Sequence, residues 1–235
     1  FWEKVYQAVK DKIDRSSLMQ QKLFRHALEI GRKYNLECKS RCKRPSPMLA
    51  MEYKVFDKMV LRLVRKQLGL ENANIFPTAG AAVSPEVERF AHSVGLNMVA
   101  GYGLTESLAT VSCDRENMPY TIGSVGRPIN GLDVKIGDND EILLKGPTIT
   151  HGYYRRDAAN KEAFTEDGYF RTGDAGYIKN GELFLTDRIK DLFKTSNGKY
   201  IAPQMIESLL LVDKFIDQVV VIANERKFVS ALIVP

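Results

Sequence analysis

Residues 73–103 read ANIFPTAGAAVSPEVERFAHSVGLNMVAGYG, and this stretch decides the fold class. Two short apolar runs, ANIFPTAG and LNMVAGYG, each end in small residues and flank the helical segment SPEVERFAHSV. Ser84 is the expected N-cap of this helix and Pro85 its first residue, with acidic residues in the first turn. A strand, a helix and a second strand at this spacing predict a βαβ unit, and therefore a parallel sheet.

The segment before this unit is predicted to be helical, because apolar residues recur there at helical spacing. Three helices are expected, and the third follows the break at KRPSP, residues 43–47. The predicted core-facing positions are Phe1, Val5, Val9 and Ile13, then Leu23, Ala27 and Ile30, and then Val55, Phe56, Met59, Val60, Leu63, Val64 and Leu68.

Beyond residue 118 the sequence changes to short strands separated by Gly, Asn and Pro. Asn180-Gly181 between two apolar runs predicts a two-residue hairpin, and Pro203 is expected to open a helix that two further strands follow. We therefore expect an α/β protein in three parts: residues 1–118 as part of a parallel α/β domain, 119–187 as a small antiparallel β-barrel, and 188–235 as a truncated α+β domain.

Composition excludes several classes of protein. Of 235 residues, 44% are hydrophobic and 27% charged, as is usual for globular proteins. No apolar run is long enough to span a membrane, and the start, FWEKVYQ, has no export-signal pattern. The three cysteines (Cys38, Cys42 and Cys113) favour a reducing compartment, and the first two lack a second Cys/His pair that would complete a zinc site.

The net charge of +5 is unevenly distributed, because residues 1–76 carry 17 Lys/Arg and only 8 Asp/Glu. The densest basic stretch, RKYNLECKSRCKR at 32–44, can attract phosphates or anionic lipids. A solvated helix end is the simpler interpretation. No aromatic residues alternate with the charges as in nucleic-acid-binding surfaces, so nucleic acid is not an expected partner.

The first candidate site is GYGLTES, residues 101–107. Gly101 and Gly103 let backbone approach a ligand closely, and Tyr102 offers a flat face for an adenine ring. Thr105 and Glu106 supply the hard oxygens that Mg²⁺ prefers. The alternative, which the residues leave open, is a turn capped by Thr105.

Two further loops carry candidate residues. In YFRTGDAGYI, residues 169–178, Asp174 can accept hydrogen bonds from a vicinal diol such as ribose, and the alternative is an Asx-turn. In LTDRIKDLFKTSNGKYIAP, residues 185–203, a basic cluster around Gly198 can meet phosphates, and the alternative is a solvated charge run. Its cations are Arg188, Lys190, Lys194 and Lys199.

Other catalytic patterns are missing from the sequence. It has no GxxxxGK[ST] phosphate loop and no GxSxG elbow. Its three histidines (His26, His92 and His151) are not spaced as a triad or a metal site.

The order of the motifs resembles the adenylate-forming superfamily. TAGAAVSPEV, GYGLTES, GSVGRPI, GYFRTGD, DRIKD and GKYIAPQMIE follow one another as they do in that family. FWEKVY and DLFKTSNGKYIAP look most like long-chain fatty acyl-CoA synthetases. The resemblance implies a ligase that uses ATP to convert a fatty acid to an acyl-adenylate and then transfers the acyl group to coenzyme A.

The resemblance also implies the roles of individual residues. Adenine would lie against Gly80, Ala81 and Ala82, with Tyr102 stacked on it between Gly101 and Gly103. Thr105 would contact phosphate, Glu106 would hold Mg²⁺, Asp174 would bind the ribose hydroxyls, and Arg188 would approach ribose or phosphate. Lys190 would be the hinge of a mobile C-terminal domain, which presents Lys194 and Gly198 to the adenylate or to coenzyme A.

Two of the family's features are missing: its Ser/Thr/Gly-rich phosphate loop and the lysine near its C-terminus that serves adenylation. We therefore expect a piece of a longer enzyme, inactive by itself. Alternatives are another adenylate-forming enzyme, such as an aryl-CoA ligase or a peptide-synthetase adenylation domain, and a non-catalytic nucleotide-binding scaffold. A cytoplasmic location is expected, with peripheral membrane association and a homodimer left open.

Overall fold

The computed structural model describes residues 2–80, 83–115, 118–194, 200–223 and 226–235. The chain divides into two compact units. The first comprises 1–78, 83–99 and 115–123, and the second comprises 79–82, 100–114 and 124–235. The mixed α/β character expected from the sequence is confirmed, whereas the division at residues 118 and 187 stays a prediction.

The first unit is mainly helical. Its α-helices are α1 (Trp2–Asp14), α2 (Leu18–Arg32), α3 (Pro47–Phe56), α4 (Arg62–Gln67) and α5 (Pro85–Val94), with π-helical turns at Lys33–Cys38 and Asp57–Leu61 and a 3₁₀ turn at Lys39–Arg41. Strand β1 (Phe76–Thr78) precedes α5, and β2 (Met98–Tyr102) follows it and runs into the second unit. The predicted order of strand, helix and strand is therefore confirmed.

The start of α5 follows from its sequence. Ser84 caps the helix, because its hydroxyl accepts the N–H of Glu86, and Pro85 is the first helical residue. The helix ends at Val94, and Gly95, its C-cap, has a left-handed φ of 89°. Both boundaries match the sequence prediction.

The core of the first unit confirms part of the predicted apolar pattern. Val9, Ala27 and Ile30 are buried, and Phe1 lies outside the described residues. The predicted stripe along the third helical segment is wrong as a single core face, because three of its members are about half exposed: Val55, Met59 and Leu63. Adjacent residues on a helix point about 100° apart. Each of the three exposed residues is next in sequence to another member of the predicted stripe, which therefore lies on a different face of the helix. Leu61 takes the fully buried position.

The second unit is built mainly of antiparallel strands. β2 pairs with β3 (Ser112–Cys113), and β3 pairs with β4 (Arg127–Pro128). A separate four-stranded meander follows, in the order β5 (Asp133–Ile136), β6 (Glu141–Lys145), β7 (Phe170–Lys179) and β8 (Glu182–Arg188). The antiparallel prediction is confirmed for these strands; closure into a barrel stays a prediction.

The hairpin of β7 and β8 has the predicted turn. Asn180 and Gly181 are its two loop residues, and both have positive φ, at 54° and 77°. These values are those of a type I′ turn, whose twist suits a two-residue hairpin.

The second unit also contains several short helices and strands. A helix that the sequence did not predict, α6 (Asp157–Ala163), precedes β7. After β8 come a 3₁₀ turn (Ile189–Asp191), the antiparallel pair β9 (Phe193–Lys194) and β10 (Tyr200–Ile201), helix α7 (Pro203–Leu210) and the hairpin β11 (Gln218–Ile222) and β12 (Ser230–Val234). Pro203 opens α7 as predicted.

Asp187 joins the end of β8 to α7. Its carboxylate is buried and accepts the backbone N–H groups of Arg188, at 2.8 Å, and Gln204, at 3.2 Å. The second of these is an N–H in the first turn of α7, where no intrahelical partner exists. Asp187 therefore caps this helix from the neighbouring strand.

Among the described helices, none has both the length and the apolar character that crossing a bilayer requires. All three cysteines are unpaired, and no group of three or more His, Cys, Asp or Glu in the described ranges is arranged to hold a metal ion. Cys38 and Cys42 therefore have no further ligands within these ranges.

We predict that the buried His92 makes the stability of the folded chain sensitive to acid. Its side chain is 5% exposed, and its Nε2 has no hydrogen-bond partner in the described part of the chain. Burial, and then the charge of Lys39, lowers the pKa of His92 to about 4 from 6.5. Between these values the unfolded chain binds more protons than the folded chain, so stability falls as pH falls.

We expect the free energy of unfolding to decrease by about 3 kcal/mol from this group between pH 7 and pH 4. His92→Leu should remove that loss, as measured by urea unfolding across the pH range. His151→Leu, at an exposed position, is the control and should follow the parent chain. Parallel stability curves for the parent and His92→Leu would contradict the assignment.

Candidate functional site

A cleft with a volume of about 510 Å³ lies within the second unit. Its charged lining consists of three cations, Arg171, Arg188 and Lys190, and two carboxylates, Glu106 and Glu141. The cleft therefore offers both signs of charge, as a site for a nucleotide with a cation would require.

Asp174 is positioned by the pairing of β7 with β8. It lies directly opposite Arg188 in the strand register. Its backbone N–H donates to Thr172 Oγ1 at 3.0 Å, and that hydroxyl donates to the carbonyl of Ile142 on β6 at 2.8 Å. Thr172 thus fixes the backbone of Asp174 against the neighbouring strand.

A bulge in β7 separates the two ends of its pairing with β6. Glu141 pairs with Ala175 and Leu143 with Arg171, so three residues of β7 face the single residue Ile142. A bulge bends a strand and redirects its side chains. Asp174 is one of the three residues in this bulge. The bulge accounts for the burial of its carboxylate, although the residues just before it in the strand line the cleft.

Tyr102 and Asp174 meet directly, although 72 positions separate them in sequence. The Tyr102 hydroxyl donates to Asp174 Oδ2 at 2.6 Å. Burial, and then the hydrogen bond to Asp174, raises the pKa of Tyr102 well above its usual range. The hydroxyl therefore stays protonated and remains a donor at neutral pH.

The Asp174 carboxylate retains acceptor capacity. Its other oxygen, Oδ1, lies 3.5 Å from Arg188 Nε. Each carboxylate oxygen has two acceptor positions, so one contact on each oxygen leaves room for two further donors. The side chain is 12% exposed, and a ligand with paired hydroxyls is a suitable partner for what remains.

Glu106 lies on a 3₁₀ turn, Thr105–Ser107, at the edge of the same cleft. Its Oε1 accepts the hydroxyl of Tyr153 at 2.8 Å, and its backbone carbonyl accepts the N–H of Thr150 at 2.8 Å. The described residues provide no hydrogen-bond partner for Oε2. One carboxylate oxygen is therefore held by the protein and the other is available.

The turn itself is closed by Ser107 and not by Thr105. The Ser107 hydroxyl accepts the N–H of Leu104 and donates to the carbonyl of the same residue, both at 3.0 Å. Thr105 is exposed. The alternative interpretation in which Thr105 caps this turn is therefore wrong, and its hydroxyl is available to a ligand.

The glycines of the first loop have different surroundings. A Cβ at Gly103 would lie 1.4 Å from the carbonyl oxygen of Ala109, whereas one at Gly101 would lie 3.3 Å from the carbonyl oxygen of Ser112. Gly103 therefore lets two backbone segments of the loop touch each other. Gly80 belongs to the same unit and is exposed, with a φ of 86°.

The structure thus brings together five of the predicted residues: Tyr102, Glu106, Asp174, Arg188 and Lys190. Tyr102 is 8% exposed and packs in the core of the second unit with Val111 and Leu132. Lys190 is exposed on the 3₁₀ turn after β8. Their roles toward a ligand stay predictions.

The other predicted residues are placed less completely. Lys194 lies in β9 opposite Tyr200. Ala81, Ala82 and Gly198 lie outside the described residues. Their assigned roles also stay predictions.

Three residues that line the cleft were not predicted from the sequence: Thr172, Glu141 and Tyr153. Thr172 is part of the recognised RTGD motif, so the motif itself was the available signal. Glu141 accepts Arg171 Nη1 at 2.9 Å and the N–H of Gly173 at 3.2 Å. Nothing in its sequence context indicates these long-range bonds, and the same holds for Tyr153, which is 47 positions from its partner Glu106.

Comparison with known proteins gives a consistent result. The family model described as AMP-binding enzyme matches residues 26–154. The long-chain-fatty-acid–CoA ligase FadD15 of Mycobacterium bovis is 36% identical over 195 residues, which is 82% of this chain and 32% of that protein. The long-chain-fatty-acid–CoA ligase 3 of Saccharomyces cerevisiae is 30% identical and matches 96% of this chain and 32% of its own.

Among solved structures, O-succinylbenzoate coenzyme A synthetase from Bacillus subtilis, in complex with ATP and magnesium ion, has a TM-score of 0.60 at 23% identity. The match covers 81% of this chain and 44% of that one, and at this identity it supports the fold alone. The chain spans about a third of the length of the curated relatives named here.

The close approach at Gly103 leads to a stability prediction. Gly103→Ala forces a methyl group into the backbone of Ala109, and overpacking of this kind costs about 1–3 kcal/mol. We expect that loss of unfolding free energy in urea titrations. Gly101→Ala is the matched control and should lose less, because its methyl group meets its nearest neighbour at 3.3 Å. Equal losses would contradict this account of Gly103.

Proposed function

Because the chain belongs to the family of AMP-binding enzymes, we propose that it carries part of the active site of an ATP-dependent long-chain fatty acid–CoA ligase. In the first step, a carboxylate oxygen of the fatty acid attacks the α-phosphorus of ATP, and pyrophosphate leaves. In the second, the sulfur of coenzyme A attacks the acyl carbon, and AMP leaves with the electron pair of the broken bond.

One observation carries the proposal: the bond between Tyr102 and Asp174 beside the cleft that Glu106, Arg188 and Lys190 line. A nucleotide requires an acceptor for its ribose hydroxyls and cations for its phosphates. Arg188 and Lys190 line the cleft, and the acceptor Asp174 lies beside it, 3.5 Å from Arg188.

Asp174 is the proposed ribose acceptor. Its carboxylate is oriented before a ligand arrives, because the Tyr102 hydroxyl and Arg188 both approach it. Preorganisation of this kind reduces the entropy lost on binding. The proposed contacts of adenine with Tyr102 and with Gly80, Ala81 and Ala82 are supported by the family resemblance, and the Tyr102 ring itself is 8% exposed.

Magnesium fits the chemistry of Glu106. Mg²⁺ is usually bound by one or two carboxylates together with substrate phosphates and water. Glu106 provides one carboxylate with a free oxygen at the cleft edge, and the described residues form no complete metal site of their own. These features suit a cation that enters with the triphosphate, where it would neutralise phosphate charge.

The cationic residues would act on the same charge. The attack of a carboxylate on a triphosphate brings like charges together, so positive side chains stabilise the transition state. Arg188 would approach ribose or the α-phosphate, and Thr105 would contact phosphate through its available hydroxyl. Lys190 is the proposed hinge, and Lys194 and Gly198 belong to the segment proposed to face the adenylate or coenzyme A.

The choice of a long acyl chain is supported by the names of the relatives. Two of these are long-chain-fatty-acid–CoA ligases, which favours a long acyl chain over an aryl substrate. We propose a cytoplasmic location with peripheral contact to membranes, from which a fatty acid could be taken. The chain by itself is proposed to bind nucleotide weakly and to turn over little.

The direct test of the function uses the gene product that carries this sequence. Pyrophosphate release should require ATP, Mg²⁺ and a carboxylate, and it should increase from short to long alkyl chains. Release only with aryl acids would favour an aryl-CoA ligase. ATP binding without release for any carboxylate would favour a non-catalytic scaffold.

Asp174→Ala should raise the KM for ATP in the same protein by roughly ten- to a hundredfold, because hydrogen bonds to a charged acceptor contribute ~1.5–3 kcal/mol. Asp174→Asn keeps the shape of the side chain and should have a smaller effect. The KM for the fatty acid serves as the internal control and should change little. An unchanged KM for ATP in Asp174→Ala would remove Asp174 from the ribose role.

A further inference from the structure

We infer that Tyr153 is a positioning residue for Glu106. The Tyr153 hydroxyl holds one carboxylate oxygen of Glu106, so that the other oxygen faces the cation of an incoming nucleotide. The inference rests on the proposed function, in which Glu106 is the magnesium ligand. It adds a residue from outside the recognised motifs to the nucleotide site.

The contact itself is direct. Tyr153 Oη donates to Glu106 Oε1 at 2.8 Å, and both side chains line the cleft. A carboxylate only accepts hydrogen bonds, so the Tyr153 hydroxyl is the donor in this contact.

The backbone of Tyr153 is fixed by Asn160 on α6. Asn160 Oδ1 accepts the N–H of Tyr153 at 2.7 Å, and Asn160 Nδ2 donates to the carbonyl of Tyr153 at 3.0 Å. One amide side chain thus satisfies both backbone groups of the tyrosine. Because its peptide groups are held in this way, Tyr153 can keep its hydroxyl at Glu106 although the residue is 38% exposed.

A second link connects the same loop to Glu106. The N–H of Thr150 donates to the carbonyl of Glu106 at 2.8 Å. The loop therefore contacts Glu106 twice, at the backbone through Thr150 and at the carboxylate through Tyr153. A side chain with three rotatable bonds is restrained by these contacts before any ligand binds.

This restraint would favour cation binding. Hydrogen bonds to a ligating carboxylate orient it, and loss of such a partner typically lowers metal affinity by about 10–100-fold. Oε1 already accepts the Tyr153 hydroxyl, whereas Oε2 keeps both of its acceptor positions for a cation.

The test compares Tyr153→Phe with Tyr154→Phe in the gene product that carries this sequence. Tyr154 is the next residue and is 82% exposed, so it is a matched control for loss of one hydroxyl. Calorimetry would measure the Kd for ATP with saturating Mg²⁺ and with EDTA. Pyrophosphate release at varied Mg²⁺ would be measured separately.

We expect Tyr153→Phe to weaken ATP binding about tenfold or more with Mg²⁺ and to leave the Kd in EDTA unchanged. The Mg²⁺ concentration for half-maximal release should rise by a similar factor. Asn160→Ala should change both quantities in the same direction, and Tyr154→Phe should match the parent protein.

Two results would overturn the inference. One is an unchanged Mg²⁺ dependence in Tyr153→Phe, and the other is an equal loss of ATP affinity with and without Mg²⁺, which would indicate general damage to the site. Failure of the proposed function gives a different result, because the parent protein itself would then release no pyrophosphate with any carboxylate.

Discussion

The candidate site depends on the contacts of the Asp174 carboxylate, which lies between the Tyr102 hydroxyl and Arg188. It joins the end of β2 to the meander of β5 to β8. A buried carboxylate is costly unless it is hydrogen-bonded or paired, and here both conditions are met. The same contacts that make its burial tolerable also fix its direction, so stability of the fold and readiness for a ligand come from one arrangement.

The recognised motifs combine two kinds of residue. Some face the cleft, among them Glu106, Arg188 and Lys190. Others shape the backbone that presents them: Ser107 closes the turn that contains Glu106, Gly103 lets the loop fold onto itself, and Thr172 ties Asp174 to β6. A motif is therefore longer than its set of ligand-contacting side chains, since each such side chain needs neighbours that hold its main chain.

Local signals in the sequence predicted local structure well. The cap at Ser84, the turn at Asn180-Gly181 and the helix start at Pro203 depend on neighbouring residues only, and all three are confirmed. The apolar stripe of the third helical segment failed in part, because apolar residues lie there on more than one face and periodicity alone does not say which face is covered. The resemblance to a family brought Tyr102 and Asp174 together, whereas Tyr153 and Glu141 act across long sequence distances and had no local signal.

The two-residue turn between β7 and β8 has a consequence for how the site forms. Asp174 and Arg188 are opposite each other because a bulge between Ala175 and Gly176 shifts by one residue the register that the turn at Asn180 and Gly181 sets. The pair therefore depends on the turn and the bulge of one local hairpin, which can form early in folding without a long loop to close. Exchanges of residue types within the hairpin are compatible with this register, but a change of its length by one residue would turn alternate side chains to the opposite face and separate the carboxylate from the arginine.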